Sequence, residues 1–292
     1  MPMPADIGVI DLMMETKASA VGGEQYDFLR PALREESSRS AFPVDYMFKE
    51  SPYAGASPDE VPSGADLLLP AMDRYGIERA MIPVSGGDEA AKQALKNHPD
   101  RFFASYHVTP NNPMKTVRRL VQYHETWGIK AATAFPCGET PQAAINSKLY
   151  YPIYAKCTEL DIPICICTGV PGPRVPFEPQ YVGHLDEVCY DFPDLKVVMR
   201  HGGEPWVDLA VKLMVKWPNL YYSTSAFAPR YYPKAIIDYA NTRGADKVMY
   251  AGYFPIGLTL TRIFEEMPAV PLRDEVWPKF LRENALRVFN LS

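Results

Sequence analysis

A regular alternation of short apolar runs and amphipathic segments extends from residue 65 to residue 266 and constrains the fold more than any other feature. The apolar runs predict buried strands at 7–12, 79–83, 102–108, 129–134, 162–167, 195–199, 220–223 and 248–251. The segments between them predict helices at 65–75, 88–97, 113–126, 152–160, 181–192, 206–216, 233–241 and 258–266, with an extra helix at 275–289. Eight strand-helix units with right-handed crossovers close into a parallel (β/α)8 TIM barrel. A doubly wound open sheet is the alternative, but the first helix lacks a glycine-rich phosphate fingerprint.

A long insertion after the first strand, residues 17–63, interrupts this rhythm. It is rich in Pro, Gly and Ser and shows no sustained period, yet it holds the aromatic residues Tyr26, Phe28, Phe42, Tyr46, Phe48 and Tyr53. Disordered segments are poor in aromatics, and long connections inside compact domains are often functional lids. We therefore expect residues 20–60 to cover the barrel mouth or to pack against a second subunit, within a single domain spanning 1–292.

Charge and composition exclude several classes of partner. The net charge is -5 and the basic residues are scattered, which argues against binding to nucleic acid. No apolar run is long enough to span a bilayer, and the N-terminus lacks the pattern of a signal peptide. Five cysteines favour reduced thiols over a disulfide framework. These features predict a cytoplasmic protein that binds a small molecule, and we expect a homodimer or a larger homo-oligomer.

The segment 195–206 predicts a site at the barrel mouth. His201 lies where the sixth strand ends, and Gly202-Gly203 and Pro205 indicate a turn that opens a helix near Trp206. In a parallel barrel this rim carries the chemistry, and a helix N-terminus there directs N-H groups at the mouth. The alternative is a structural histidine that caps the strand.

A set of motifs in the same order along the chain resembles the second amidohydrolase family, the branch that contains the amino-carboxymuconate-semialdehyde and resorcylate decarboxylases. These motifs are Gly128-Ile-Lys, Tyr151-Pro-Ile-Tyr, Glu159-Leu-Asp-Ile-Pro, Phe192-Pro-Asp-Leu-Lys-Val-Val, His201-Gly-Gly, Tyr253-Phe-Pro and Glu283-Asn-Ala-Leu-Arg-Val-Phe. The resemblance implies a TIM barrel and a hydrolase or carbon-carbon lyase acting on a carboxylate or acyl compound.

The metal-binding positions implied by this resemblance carry other residues here. The first-strand pattern Asp-x-His-x-His stands as Asp11-Leu-Met-Met-Glu15, the fifth-strand histidine is Cys167, and the eighth-strand aspartate is Tyr253. Only His201 matches. We therefore predict an enzyme without metal or cofactor, in which His201 is the general acid/base and Glu15 or Tyr253 is its partner.

Two alternatives remain for these positions. In the first, Met13, Cys167 and Tyr253 fill the space of a metal, which suits a binding or scaffold protein. In the second, Glu15, Cys167 and His201 form an atypical metal site. If Cys167 lies near His201, the pair forms a thiolate nucleophile.

Further polar residues lie in predicted mouth loops and are candidates for binding substrate. Arg174 and Arg230 suit an anionic substrate because a guanidinium binds carboxylates through a planar fork. His107, Ser223 and Trp206 complete the predicted binding set. For the arginines the alternative is an ion pair that fixes a loop, and for Ser223 it is a local cap.

Overall fold

The computed structural model describes residues 3–4, 6–17, 29–34 and 60–291. Eight parallel strands form one sheet in which each strand pairs with the next in chain order. The strands are β1 Val9–Asp11, β2 Ile77–Pro83, β3 Phe102–His107, β4 Ala131–Ala134, β5 Ile164–Cys167, β6 Val197–Arg200, β7 Leu220–Ser223 and β8 Val248–Met249. A parallel bridge between Met14 and Phe254 joins the two edges beyond β1 and β8. The predicted (β/α)8 barrel is therefore confirmed.

Helices connect successive strands and cover the outside of the barrel. They are α1 Gly64–Arg74, α2 Glu89–Asn97, α3 Pro113–Trp127, α4 Tyr151–Glu159, α5 His184–Asp191, α6 Val207–Lys216, α7 Lys234–Ala240, α8 Leu260–Glu266 and α9 Asn284–Val288. Among the residues that the structure describes, no helix is long and apolar enough to cross a membrane.

The helix predicted at 275–289 is less regular than expected. A π-helical turn, Lys279–Glu283, precedes α9. The carbonyl of Phe280 accepts a hydrogen bond from the backbone N-H of Tyr250 at 2.9 Å, so it is diverted from the usual helical ladder. Asn284 strengthens the same junction, because its side-chain amide donates to the carbonyls of Ala245 and Val248 at 2.7 and 3.0 Å.

An apolar cluster fills the lower part of the barrel interior. Inward-facing strand residues meet the C-terminal segment at the end opposite the catalytic rim. The strand residues are Ile10, Leu12, Met81, Phe103, Ala131, Cys165, Val198, Met249 and Ala251, and the C-terminal residues are Ala285, Val288, Phe289 and Leu291. Cys165 is thus a small core residue. Because side chains alternate along a strand, Arg200 faces the interior like Val198, one layer nearer the mouth.

The two ends of the insertion meet at the base of α1. Lys17 and Ser63 form an antiparallel bridge, and the N-H of Gly64 donates to the carbonyl of Thr16 at 2.7 Å. The predicted lid aromatics all lie at 18–28 or 35–59, outside the described residues. The lid therefore stays a prediction.

A close contact between the loops after β5 and β6 predicts a large effect for Gly169→Ala. Gly169 has φ +89°, and a Cβ there would lie 2.7 Å from the backbone oxygen of Glu204. Gly76 is a matched control, because its φ is +67° and a Cβ there would meet open space. In urea unfolding we expect Gly169→Ala to lower the free energy of unfolding by about 3 kcal/mol or more, and Gly76→Ala by about 1 kcal/mol. Equal losses would show that the loop contact is not tight.

Candidate active site at the barrel mouth

A buried arginine occupies the centre of the catalytic end of the barrel. Arg200 ends β6 and is only 8% exposed. Its Nη2 donates to the backbone carbonyl of Leu12 at 3.3 Å. Leu12 follows β1, which does not neighbour β6 in the sheet, so the side chain crosses the lumen. Within the described ranges this is its one hydrogen bond to an oxygen atom, and no carboxylate there forms an ion pair with it.

Two imidazoles and a carboxyl group lie within electrostatic range of this guanidinium. Burial, followed by the charge of Arg200, lowers the pKa of His201 to about 3 and that of His107 to about 4. Burial raises the pKa of Glu15 to about 7, with Arg200 opposing the rise and Asp88 adding to it. Both imidazoles are therefore neutral at pH 7, whereas Glu15 is close to half protonated.

This charge distribution bears on the acid/base role predicted for His201, which stays a prediction. A neutral imidazole whose pKa is about 3 does not act as an imidazolium acid near neutral pH. Glu15, whose pKa is about 7, is instead the group matched to proton transfer at that pH. Glu15, predicted as the partner of His201, is therefore an acid/base candidate in its own right.

The backbone and a serine fix the position of His201. His201 has φ +64°, an uncommon value for a residue with a side chain, and Gly202 and Gly203 follow at +84° and +68°. The Ser225 hydroxyl accepts from the N-H of His201 at 3.3 Å and lies 3.1 Å from its Nδ1. The ring also contacts Tyr253 edge to face, with centroids 5.6 Å apart. Nε2 has no hydrogen-bond partner among the described residues.

Short backbone contacts place Glu15 at the same mouth. Its N-H donates to the carbonyl of Phe254 at 3.1 Å, in the segment that closes the barrel. The next residue, Thr16, donates its hydroxyl to Asp88 at 2.9 Å. Asp88 is also the N-cap of α2, where it accepts from the N-H of Ala91 at 3.0 Å. Glu15 is therefore held between the closing strands and a helix start.

His107 joins the site from the opposite wall. It ends β3, and its Nδ1 lies 3.4 Å from the Thr133 hydroxyl of β4. The ring is accessible from the mouth, while the surrounding wall and Arg200 keep its pKa low. The structure thus brings together Glu15, His107, Arg200, His201 and Tyr253, which we call the mouth cluster.

Cys167 is not the thiolate that the sequence suggested. It is 7% exposed, and burial raises the pKa of its thiol to about 12 despite the attraction of Arg200. A thiol with this pKa stays protonated at neutral pH and is a poor nucleophile. Cys167 therefore forms part of the wall of the site.

Four of the predicted binding residues have contacts outside the mouth cluster. Arg230 is exposed, with its Nε 3.4 Å from Glu266, and it fixes a loop as the alternative interpretation had it. The Ser223 hydroxyl donates to the backbone carbonyl of Met199 on the neighbouring strand β6 at 3.3 Å, which is a contact between strands and not the local cap of the alternative interpretation. Trp206 packs on Phe177 and Tyr181, with ring centroids 5.3 and 5.0 Å away. Arg174 lines a separate surface cavity of about 750 Å³.

The residues present do not fit the metal implied by the sequence resemblance. Zinc sites use three or four closely grouped N, O or S donors. Within the described part of the chain, no group of three or more His, Cys, Asp or Glu side chains is placed to hold a metal ion. The guanidinium of Arg200 further opposes a divalent cation beside Glu15, His107 and His201. The atypical Glu15, Cys167 and His201 metal site is therefore not supported.

Solved structures with the same barrel include proteins with and without an assigned activity. An uncharacterised TIM-barrel protein from Bordetella bronchiseptica is 24% identical, with a TM-score of 0.76 over 97% of this chain and 99% of that chain. The 5-carboxyvanillate decarboxylase from Novosphingobium aromaticivorans, solved with manganese and 4-hydroxy-3-methoxy-5-nitrobenzoic acid, is 19% identical, with a TM-score of 0.69 over 99% and 98%. The 4-oxalomesaconate hydratase from Rhodopseudomonas palustris is 17% identical, with a TM-score of 0.58 over 97% and 95%. At these identities the likeness shows the fold.

Sequence comparison assigns the chain to a family. A comparison with curated proteins found no match. The sequence profile of the family described as Amidohydrolase, in contrast, matches residues 42–291. This match confirms both the resemblance and the expectation of an enzyme of the amidohydrolase-like hydrolase or lyase kind. Because it covers most of the sequence, the chain belongs to the amidohydrolase family.

Proposed function

We propose that this protein is a decarboxylase- or hydratase-like lyase that acts on a small carboxylate without a transition metal. The observation that carries the proposal is the mouth cluster, in which a carboxyl group with a pKa of about 7 lies beside a buried guanidinium and two neutral imidazoles. The structural neighbours named as a decarboxylase and a hydratase support this reaction class. A polar mouth of this kind favours an enzyme over a binding protein that has lost its chemistry.

Proton transfer from Glu15 is the central step. In a decarboxylation, the bond between a substrate carbon and its carboxylate breaks, and the electron pair stays on that carbon. The carbon accepts the proton of Glu15, carbon dioxide leaves, and solvent protonates Glu15 again. In a hydration, a carbon of the double bond likewise takes up the proton of Glu15 while water adds to the neighbouring carbon, and the proton that this water loses returns to Glu15. Protonated Glu15 serves either reaction, and neutral His201 orients the substrate by hydrogen bonding.

Arg200 supplies fixed positive charge for the same reaction. A preorganised guanidinium in a site shielded from water stabilises negative charge as it develops on substrate oxygen atoms. This charge is present without any metal ion, since arginine stays protonated throughout the working pH range. The mouth cluster therefore contains both a proton donor and an electrostatic stabiliser.

Metal analysis combined with an activity screen tests the proposal. Protein purified without a histidine tag should carry well under one equivalent of Zn, Mn, Fe or Ni. It should release carbon dioxide from, or hydrate, at least one member of a panel of small carboxylates, and prolonged chelation should leave that rate unchanged. Near-stoichiometric metal that is lost in Glu15→Ala or Cys167→Ala would contradict the proposal and favour a metal-dependent enzyme.

A further inference from the structure

The partners of Arg200 leave its charge incompletely compensated. A guanidinium has five N-H donors, and in the described part of the chain only Nη2 reaches an oxygen, the carbonyl of Leu12 at 3.3 Å. The residue is only 8% exposed. Burying a charge without a paired counter-ion is energetically costly. An anion in the mouth would remove this cost.

The surroundings of Arg200 suit a carboxylate in particular. The planar fork of a guanidinium matches the two oxygens of a carboxylate. His107 and His201 line the same space as neutral imidazoles, which can add hydrogen bonds without repelling an anion. Glu15 lies within electrostatic range of Arg200, but among the described residues no hydrogen bond or ion pair joins the two side chains. Glu15 therefore leaves the guanidinium available to an incoming anion.

We infer that Arg200 binds the carboxylate of the substrate, and that its guanidinium takes the place of the metal ion implied by the family resemblance. This inference rests on the proposed function and names the residue that recognises the substrate class. It gives Arg200 direct contact with the substrate, adjacent to the proton of Glu15. It also explains why the side chain of Arg200 extends from β6 across the lumen.

Binding of simple anions tests the inference independently of turnover. Formate and benzoate are titrated by calorimetry and thermal shift, with formamide and benzamide as neutral counterparts. The wild-type protein should bind at least one of the carboxylates and neither amide. In Arg200→Gln the affinity for that carboxylate should fall at least tenfold, and Arg200→Lys should recover only part of it because the fork is lost. Arg243→Gln, which removes a positive charge from an exposed position, should bind as the wild type does.

Circular dichroism and melting curves establish that the variants are folded, and Arg200→Lys keeps the test valid if Arg200→Gln does not fold. The inference is overturned if neither carboxylate binds the wild-type protein, or if a carboxylate binds both Arg200 variants with wild-type affinity. Glu15→Gln separates the two proposals, because it should keep or strengthen benzoate binding while removing the proton donor. Carboxylate binding without any turnover would contradict the proposed function alone, whereas turnover by Arg200→Gln at an unchanged KM would contradict this inference alone.

Discussion

Glu15→Gln is expected to lower kcat/KM by roughly 10²- to 10⁴-fold, the usual contribution of a general acid. The amide keeps the size of the side chain but cannot deliver the proton. In the wild-type protein kcat/KM should fall as the pH rises through about 7, because the pKa of Glu15 is about 7 and only its protonated form is active. Rates measured from pH 5 to 9 on the best substrate of the panel provide the check. A wild-type profile without a change near pH 7, or one retained in Glu15→Gln, would contradict the role.

Asp88→Asn is a matched control for this titration. Asp88 raises the pKa of Glu15 through its charge. In Asp88→Asn the decrease in kcat/KM should therefore occur at a lower pH than in the wild type. Asparagine remains a good N-cap for α2, and the helix should be retained.

The same carboxyl group should affect stability. Its pKa rises on folding from 4.5 to about 7, so the folded state binds more protons between these values and stability is lost as the pH rises. Glu15→Gln should therefore gain stability relative to the wild type across this window.

His201→Asn is expected to reduce kcat by about 100-fold, because the substrate loses a group that orients it, while the melting temperature stays within a few degrees of the wild-type value. Asparagine tolerates the left-handed backbone that His201 adopts at φ +64°, so the variant tests the ring with little added strain. His201→Ala should lose the same activity and additional stability. Steady-state kinetics and thermal melts measure both effects. A large loss of stability with activity intact would show that His201 is structural.

The pH dependence of stability provides a second test of the environment of His201. Its pKa falls on folding from 6.5 to about 3, so the folded state resists a proton that the unfolded chain accepts. Its contribution to the free energy of unfolding is therefore present above pH 6.5 and is lost as the pH falls from 6.5 to about 3. His201→Asn should be less sensitive to acid over the same range.

The fold could be predicted from sequence because each strand of this barrel is a short apolar run between amphipathic helices. That pattern follows from burial on both faces of a parallel sheet and needs no knowledge of distant contacts. The irregular C-terminal helix could not be predicted, because its π turn depends on the contact between Phe280 and Tyr250, 30 residues apart.

The site was only partly predictable for the same reason. Strand ends identified His201, Glu15 and Tyr253, since position on a barrel strand determines which rim a residue reaches. The pKa values depend on burial and on neighbours that meet only in the folded chain, so the sequence could not show that the pKa of Glu15 lies nearer to neutrality than that of His201. Arg200 was missed, although alternation from the inward-facing Val198 predicts that it points into the barrel.

The floor of the barrel is assembled from opposite ends of the sequence. Ile10 and Leu12 belong to the first strand segment, and they share one apolar cluster with Phe289 and Leu291. During synthesis all eight strands emerge from the ribosome before this floor is available. The apolar lumen therefore stays exposed to water and to other chains until the last of these residues has been synthesised. A chaperone that covers the open end would limit aggregation during that interval.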